Sequence, residues 1–317
     1  MNKVPSLPQA SPSTDAPDLP WLWMGVALLA HTGWGAYPVL ARYLQTVSVI
    51  PSMALLGLGN LVGLTIFAPF VVRHLNWRLF KLPALWAFTF AVVMRAITNI
   101  LAARFTLAIY VQLITLMTPL IVALLSAGIF RERLPRGTWP AIGFSLLGSL
   151  LLMGGDIAGH MPSLMLSGTD LLGIGLALVS AIFLAIYMIL VPRTVKDAVP
   201  ADVILFIHLL MLGLISGAIS LLIGENWGRY TELGLKDWAV FLSFVLFVLL
   251  GSNLSQIVAL RHLGAPMVSS TMAWRLVATL MLAALLLGER LSSLWQLLGA
   301  VIVIVTISLY LRHQQRS

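Results

Sequence analysis

The chain has 317 residues, of which 60% are hydrophobic and only 9% are charged. A soluble domain carries about 25% charged residues, so we expect an integral membrane protein and exclude a soluble globular one. The net charge of +8 does not indicate nucleic-acid binding, because the basic residues lie in short loops and not in one patch or basic helix. The lack of cysteine excludes disulfides, thiolate catalysis and cysteine-based metal sites.

The chain begins with a tail and continues as a series of apolar stretches. Residues 1–20 are rich in proline, serine and aspartate, which predicts a disordered tail. A helix needs about 20 mainly apolar residues to cross a bilayer. Very short turns join the third span to the fourth and the eighth to the ninth, so we expect two hairpins. Ten stretches are long enough: 21–42, 49–71, 83–103, 107–129, 137–154, 170–191, 202–223, 237–258, 265–287 and 293–311.

The widest polar gap divides these spans into two halves. We expect a first five-helix repeat over 21–154, a connector over 155–169, a second five-helix repeat over 170–311 and a tail over 312–317. With the amino terminus in the cytoplasm, twelve basic residues face the cytoplasm and five face outward, as the positive-inside rule requires. Both tails are then cytoplasmic and the connector is extracytoplasmic.

The two halves share sequence. Residues 99–134 align without a gap on 256–291, with identities in ten of 36 positions, among them Arg104/Arg261. An odd number of spans in each half turns the second copy upside down relative to the first. The sequence therefore predicts an all-α membrane protein of ten transmembrane helices, arranged as two inverted five-helix repeats.

A short motif ends the fourth span of each half: Glu132-Arg133-Leu134 and Glu289-Arg290-Leu291. With Trp34-Gly35 in the first span, these motifs make the chain similar to the EamA branch of the drug/metabolite transporter superfamily over about 21–311. The resemblance implies ten helices in inverted repeats, a central cavity, and export or exchange of small metabolites. Members often carry a proline in the fourth helix of both halves, but this chain has Pro119 in the first and Leu276 in the second.

Ionisable residues within the spans are few. All aspartates and glutamates fall in tails, loops or span ends, so a mid-membrane carboxylate relay is not expected. Neither a His-Glu-x-x-His motif nor a nucleophile with a base at its depth is visible, so we expect no metal, no cofactor and no enzyme activity. Arg95 and Arg275 lie near mid-span, where an arginine costs roughly 2.5–3.5 kcal/mol. Without carboxylate partners, they favour an anionic ligand; the alternative is that they cap backbone carbonyls.

The repeat places further polar residues at matching depths. Arg95 and Asn99 are four residues apart on one helix face, and their counterparts are Ser252 and Gln256, with Asn253 alongside. We therefore expect the third and fourth helices of both halves to line one cavity. For the amides, hydrogen bonding between helices is the alternative.

The first span carries His31, Trp34, Tyr37 and Pro38, with glycines at 33 and 35. This composition predicts a kinked or loosened helix whose Trp34 and Tyr37 face a cavity or gate. The matching sixth span contributes Tyr187 as a further candidate. His31 is the better candidate for proton coupling, if coupling exists, and a helix–helix hydrogen bond is the alternative.

The sequence thus favours a secondary transporter, an exporter or exchanger, in a bacterial cytoplasmic membrane. We expect alternating access and a small anionic or zwitterionic cargo such as an amino acid or organic acid. The alternatives are a transporter of a neutral or lipophilic compound and a lipid-carrier flippase. Glycine pairs at 59/63 and 213/217 predict close helix packing within the chain, with a homodimer interface as the alternative.

Overall fold

The computed structural model describes residues 20–75, 83–130, 137–153, 167–190, 201–291 and 293–316, and these contain helices and no strands. Residues 1–19 of the predicted tail, residues 155–166 of the predicted connector and the motif Glu132-Arg133-Leu134 lie outside the described residues. The helices are α1 Pro20–Thr46, α2 Ser52–Val71, α3 Pro83–Phe105, α4 Ala108–Leu116, α5 Thr118–Phe130, α6 Thr138–Met153, α7 Gly168–Leu190, α8 Ala201–Leu222, α9 Leu235–Ser243, α10 Asn253–Ser270, α11 Trp274–Leu286 and α12 Leu294–Arg316. Short 3₁₀ helices cover Val72–His74 and Trp227–Glu232, and a π-helix, Phe244–Ser252, joins α9 to α10.

The all-helical architecture is as predicted, but the number of spans differs. Among the described residues, six helical stretches are long and apolar enough to cross a membrane, and the bent pair α4/α5 makes a seventh. α6 and α11 are apolar but shorter than a span. This count is lower than the ten predicted spans because α1 is not among these stretches, α6 is short, and the ninth stretch is broken before α11. α12 in turn continues to Arg316, past the predicted end of the last span at 311.

The bend in the fourth span has a local cause. α4 and α5 meet at Met117 with an angle of 41°, and Pro119 stands at the second position of α5. Proline lacks an amide hydrogen and disfavours helical backbone in the residue before it, so the helix breaks there. The second copy breaks in the corresponding region, over Thr271–Ala273, although Leu276 replaces the proline.

The two predicted hairpins differ in form. Between α3 and α4 the helix stops at Thr106 and Leu107, as expected. In the second copy the backbone is helical throughout α10. Successive residues from the end of the π-helix onward nevertheless contact first the middle of α1, then its start, and then its middle again. Ser252, the last residue of the π-helix, lies beside Gly33; His262 stacks on Trp23 with ring centres 3.6 Å apart; and the carbonyl of Val268 accepts a hydrogen bond from His31. The chain therefore still reverses direction within α10.

Helices that correspond in the two halves pack against each other in opposite directions. α2 lies on α8, where a Cβ on Gly57 would come within 2.9 Å of the backbone of Gly217. α6 lies on α12, where a Cβ on Gly148 would come within 2.8 Å of the carbonyl of Gly299. The glycines allow these close approaches. Of the predicted glycine pairs, Gly63 faces Leu209 of α8, Gly213 faces Leu61 of α2, and Gly217 faces Gly57.

α1 is the central element. It packs against α3 and α4 of the first half and against the π-helix, α10 and α11 of the second. α1 is one continuous helix through Pro38, so the predicted loosening does not interrupt it. Its glycines serve close packing instead, since a Cβ on Gly35 would clash with the carbonyl oxygen of Arg275.

Candidate functional site

A narrow cavity lies at the middle of the bundle, where α1, α2, α3, α8 and the junction of the π-helix with α10 meet. Its volume is about 20 Å³, room for about one water molecule. A metabolite therefore enters only if the helices move apart. The lining residues are Trp34, Tyr37, Leu56, Asn60, Arg95, Ala96, Asn99, His208, Leu209, Leu212, Leu249 and Asn253.

The cavity wall carries polar groups without hydrogen-bond partners. Within the described part of the chain, five buried side-chain atoms in this wall lack one: Trp34 Nε1, Tyr37 Oη, Asn60 Oδ1, Arg95 Nε and Asn99 Oδ1. A buried polar group left unpaired costs about 1–3 kcal/mol. Such groups, gathered around one space, indicate a site that binds something polar. Donors and acceptors are both present, so the site can hold a ligand that has both.

Arg95 supplies positive charge to this wall. Its Cζ lies 5.2 Å from the centre of the Trp34 ring, within the range of a cation–π interaction. Its backbone carbonyl accepts a hydrogen bond from Ser180 of α7, which fixes α3 at this depth. The described residues contain no carboxylate in an ion pair with Arg95.

Arg275 lies beside the cavity and not in its wall. Its Nε donates to Nδ1 of His31 at 3.0 Å, and the other ring nitrogen of His31 bonds the carbonyl of Val268 at 3.0 Å. The Arg275 Cζ is 5.8 Å from the Trp34 ring, so both guanidinium groups contact one indole. Because His31 is fully buried and both its nitrogens are engaged, its geometry fits a positioning role for Arg275.

The structure brings together five of the ten predicted site residues: Trp34, Tyr37, Arg95, Asn99 and Asn253 line the cavity. Arg275 and His31 form the adjoining pair. The remaining three lie elsewhere. Ser252 packs against Gly33 and donates to the carbonyl of Phe247, Tyr187 packs on Phe88 with ring centres 4.9 Å apart, and Gln256 is partly buried outside the lining.

Sequence reasoning did not select two lining residues, Asn60 of α2 and His208 of α8. Asn60 is fully buried, and its Nδ2 donates to the carbonyl of Leu56. It is the only amide in α2 and the only polar side chain between Ser52 and Thr65, and that isolation was the available signal. His208 stands in the helix that packs on α2, so each half contributes one polar residue from its second helix.

At the end of the bundle where α1 terminates, an ion pair joins the halves. Nε of Arg42 lies 2.9 Å from Oε1 of Glu289, and that oxygen accepts the amide of Ala108 at the start of α4. Arg42 also donates to the carbonyls of Ala103 and Thr106. The Glu289 of the repeated motif is thus a structural residue that caps a helix.

Comparison with known proteins identifies the family. The profile of the EamA-like transporter family matches residues 21–154 and 171–312, one match on each half of the chain. The chain belongs to the EamA-like transporter family. A search of curated proteins gave no match. Among fifteen solved chains that match, one described only as "Crystal structure of protein" has 16% identity and a TM-score of 0.63, covering 94% of this chain and 99% of its own. At that identity the likeness supports the fold alone. Membership supports a membrane transporter with two repeats, and the family's members are transporters rather than enzymes.

Proposed function

We propose that this EamA-family protein moves a small anionic or zwitterionic metabolite, such as an amino acid or organic acid, across the cytoplasmic membrane by alternating access. The observation that carries the proposal is the cavity at mid-bundle, built by both halves around Arg95. A guanidinium held away from water without a carboxylate partner favours a ligand that supplies one.

The cavity also offers hydrogen-bond acceptors beside the positive charge of Arg95. The unpaired oxygens of Asn60 and Asn99 accept hydrogen bonds, while Arg95, Tyr37 and Trp34 donate them. A ligand that carries both a carboxylate and an ammonium or hydroxyl group satisfies both sets at once. A purely anionic ligand leaves the two amide oxygens unpaired.

Alternating access is supported by how the halves pack. Corresponding helices run in opposite directions, α2 against α8 and α6 against α12, as inverted repeats related by an axis in the membrane plane require. The cavity holds about one water molecule, so cargo enters and leaves only through other conformations. We take both termini as cytoplasmic, on the basic residues of the loops, and export or exchange as the direction.

The test is flux into proteoliposomes combined with melting of the purified protein. Carboxylate compounds should raise the melting temperature, since a ligand that binds only the folded state stabilises it, and their neutral amides should not. Arg95→Gln should lose flux and this shift, whereas Arg312→Gln, at an exposed position near the end of α12, should keep both. Arg95→Gln with full flux would refute the anion site. Equal responses to carboxylates and amides would favour a neutral cargo stacked on Trp34 and Tyr37.

A further inference from the structure

The span that lines the cavity from the second half contains a long π-helix. It covers Phe244–Ser252, between α9 and α10, and packs against α1 and α2. In a π-helix each amide bonds the carbonyl five residues back, and such segments are rare and concentrate at functional sites. The corresponding helix of the first half, α3, is α-helical throughout. The two copies therefore differ at the point where both reach the cavity.

Two residues at the end of the π-helix favour this geometry. A Cβ on Gly251 would come within 2.9 Å of the carbonyl oxygen of Leu246, five residues earlier, so an alanine there conflicts with the π backbone. Oγ of Ser252 donates to the carbonyl of Phe247 at 2.8 Å, again five residues earlier. In a regular α-helix a serine reaches back four residues, as Ser149 does to Ser145 in α6. Gly251 and Ser252 thus fit the wider helix.

The π-helix changes which residues face the cavity. One residue corresponds to about 100° around an α-helix, and a π-helix places an additional residue in each hydrogen-bonded ring. The face after it is therefore offset by about one residue from an unbroken helix. The repeat aligns Ser252 with Arg95 and Asn253 with Ala96. Arg95 and Ala96 both line the cavity, whereas of Ser252 and Asn253 only Asn253 does, and Ser252 faces Gly33. An offset of about one residue is consistent with the absence of Ser252 and Gln256 from the lining.

We propose that Gly251 and Ser252 are positioning residues: by holding the π-helix, they place Asn253 in the cavity and keep Ser252 and Gln256 out of it. Conversion of this segment to an α-helix turns the following residues by about one position, so that Ser252 and Gln256 replace Asn253. The amide that meets the cargo is then set by the backbone of this segment. This last statement about the cargo rests on the proposed function, whereas the placement of Asn253 in the cavity wall by the π-helix does not.

The chain has no cysteine, so single-cysteine reporters need no prior replacements. Asn253→Cys and Gln256→Cys are each labelled with a small water-soluble thiol reagent, and the ratio of the first labelling rate to the second is measured. In the parent background the Asn253→Cys reporter should react faster. Adding Gly251→Ala should bring the ratio below one, and Ser252→Ala, which adds no atom, should move it in the same direction by a smaller factor.

Matched controls separate register from general disturbance. Gly175→Ala adds a Cβ that meets nothing within 4 Å in α7, and Ser149→Ala removes a hydroxyl that bonds four residues back; both should leave the ratio unchanged. If Gly251→Ala does not fold, the Ser252→Ala ratio decides. A ratio equal to the parent's in the folded variants overturns the proposal. Because labelling needs no cargo, the result stands apart from the anion-site test, which can fail independently.

Discussion

The pair between Arg42 and Glu289 gives the most direct test of the forces that hold the halves together. Their side chains are 21% and 8% exposed and lie 2.9 Å apart. Burial raises the pKa of the Glu289 carboxyl above its ordinary value, and the charge of Arg42 offsets part of that rise. Arg42→Gln removes the offset and leaves a nearly buried carboxylate without a counter-ion.

The size of the effect depends on which partner is removed. Breaking a buried ion pair costs about 3–5 kcal/mol, and since Arg42 is one-fifth exposed we expect the lower end, about 3 kcal/mol at neutral pH. Glu289→Gln should cost less, about 1 kcal/mol, because Arg42 keeps the carbonyls of Ala103 and Thr106 as partners.

The loss of folding stability in Arg42→Gln should depend on pH. The folded-state pKa of Glu289 then lies above the unfolded value, so the folded protein binds more protons and its stability rises as pH falls toward the ordinary range of glutamate. Thermal unfolding of the purified protein between pH 8 and pH 5 measures this. Arg229→Gln is the control, since its pair with Glu232 is 44% and 59% exposed and should contribute less than about 0.5 kcal/mol. Equal melting of the two variants at neutral pH, or a loss that acid does not reduce, would show the reasoning to be wrong.

Three further substitutions have defined outcomes. Gly57→Ala places a Cβ within 2.9 Å of the α8 backbone and should lower the free energy of unfolding by about 1–3 kcal/mol, as measured by thermal melting. Its control, Gly128→Ala, has open space around the new Cβ and should raise the free energy of unfolding by up to about 1 kcal/mol. His31→Ala leaves Nε of Arg275 unpaired and should lower stability by about 1–3 kcal/mol, detected by melting; unchanged stability would contradict the positioning role. Asn60→Ala should weaken cargo binding in calorimetry with little loss of stability, and unchanged affinity would remove it from the site.

Much of the cavity wall could be predicted from the sequence because polar residues are costly in a bilayer. Arg95, Asn99, Trp34 and Tyr37 stood out as polar or aromatic groups too deep for an interface, and all four line the cavity. The hairpin between α3 and α4 followed from the shortness of its turn. In each case one large energetic term decides the outcome.

What escaped prediction depends on smaller terms. The π-helix follows from backbone contacts of Gly251 and the hydroxyl of Ser252, and no periodicity in the sequence reports it. The continuity of α1 through Pro38 is supported by its neighbours, which pack on it from both halves. Tertiary packing overrides local preference at both places, so Ser252 and Gln256 were assigned to a face that they do not occupy.

The arrangement around Trp34 explains how the site can be stable while empty. Two guanidinium groups that have no carboxylate partner among the described residues repel each other and are costly in a region shielded from water. Each lies within 6 Å of the same indole, and a cation–π contact in a desolvated site is worth about 2 kcal/mol. The indole thus offsets part of the cost, and under the proposed function the carboxylate of a cargo would offset more of it through a charge-assisted hydrogen bond to Arg95, which is the stronger contact. If the cargo is an anion, part of its binding energy comes from this difference.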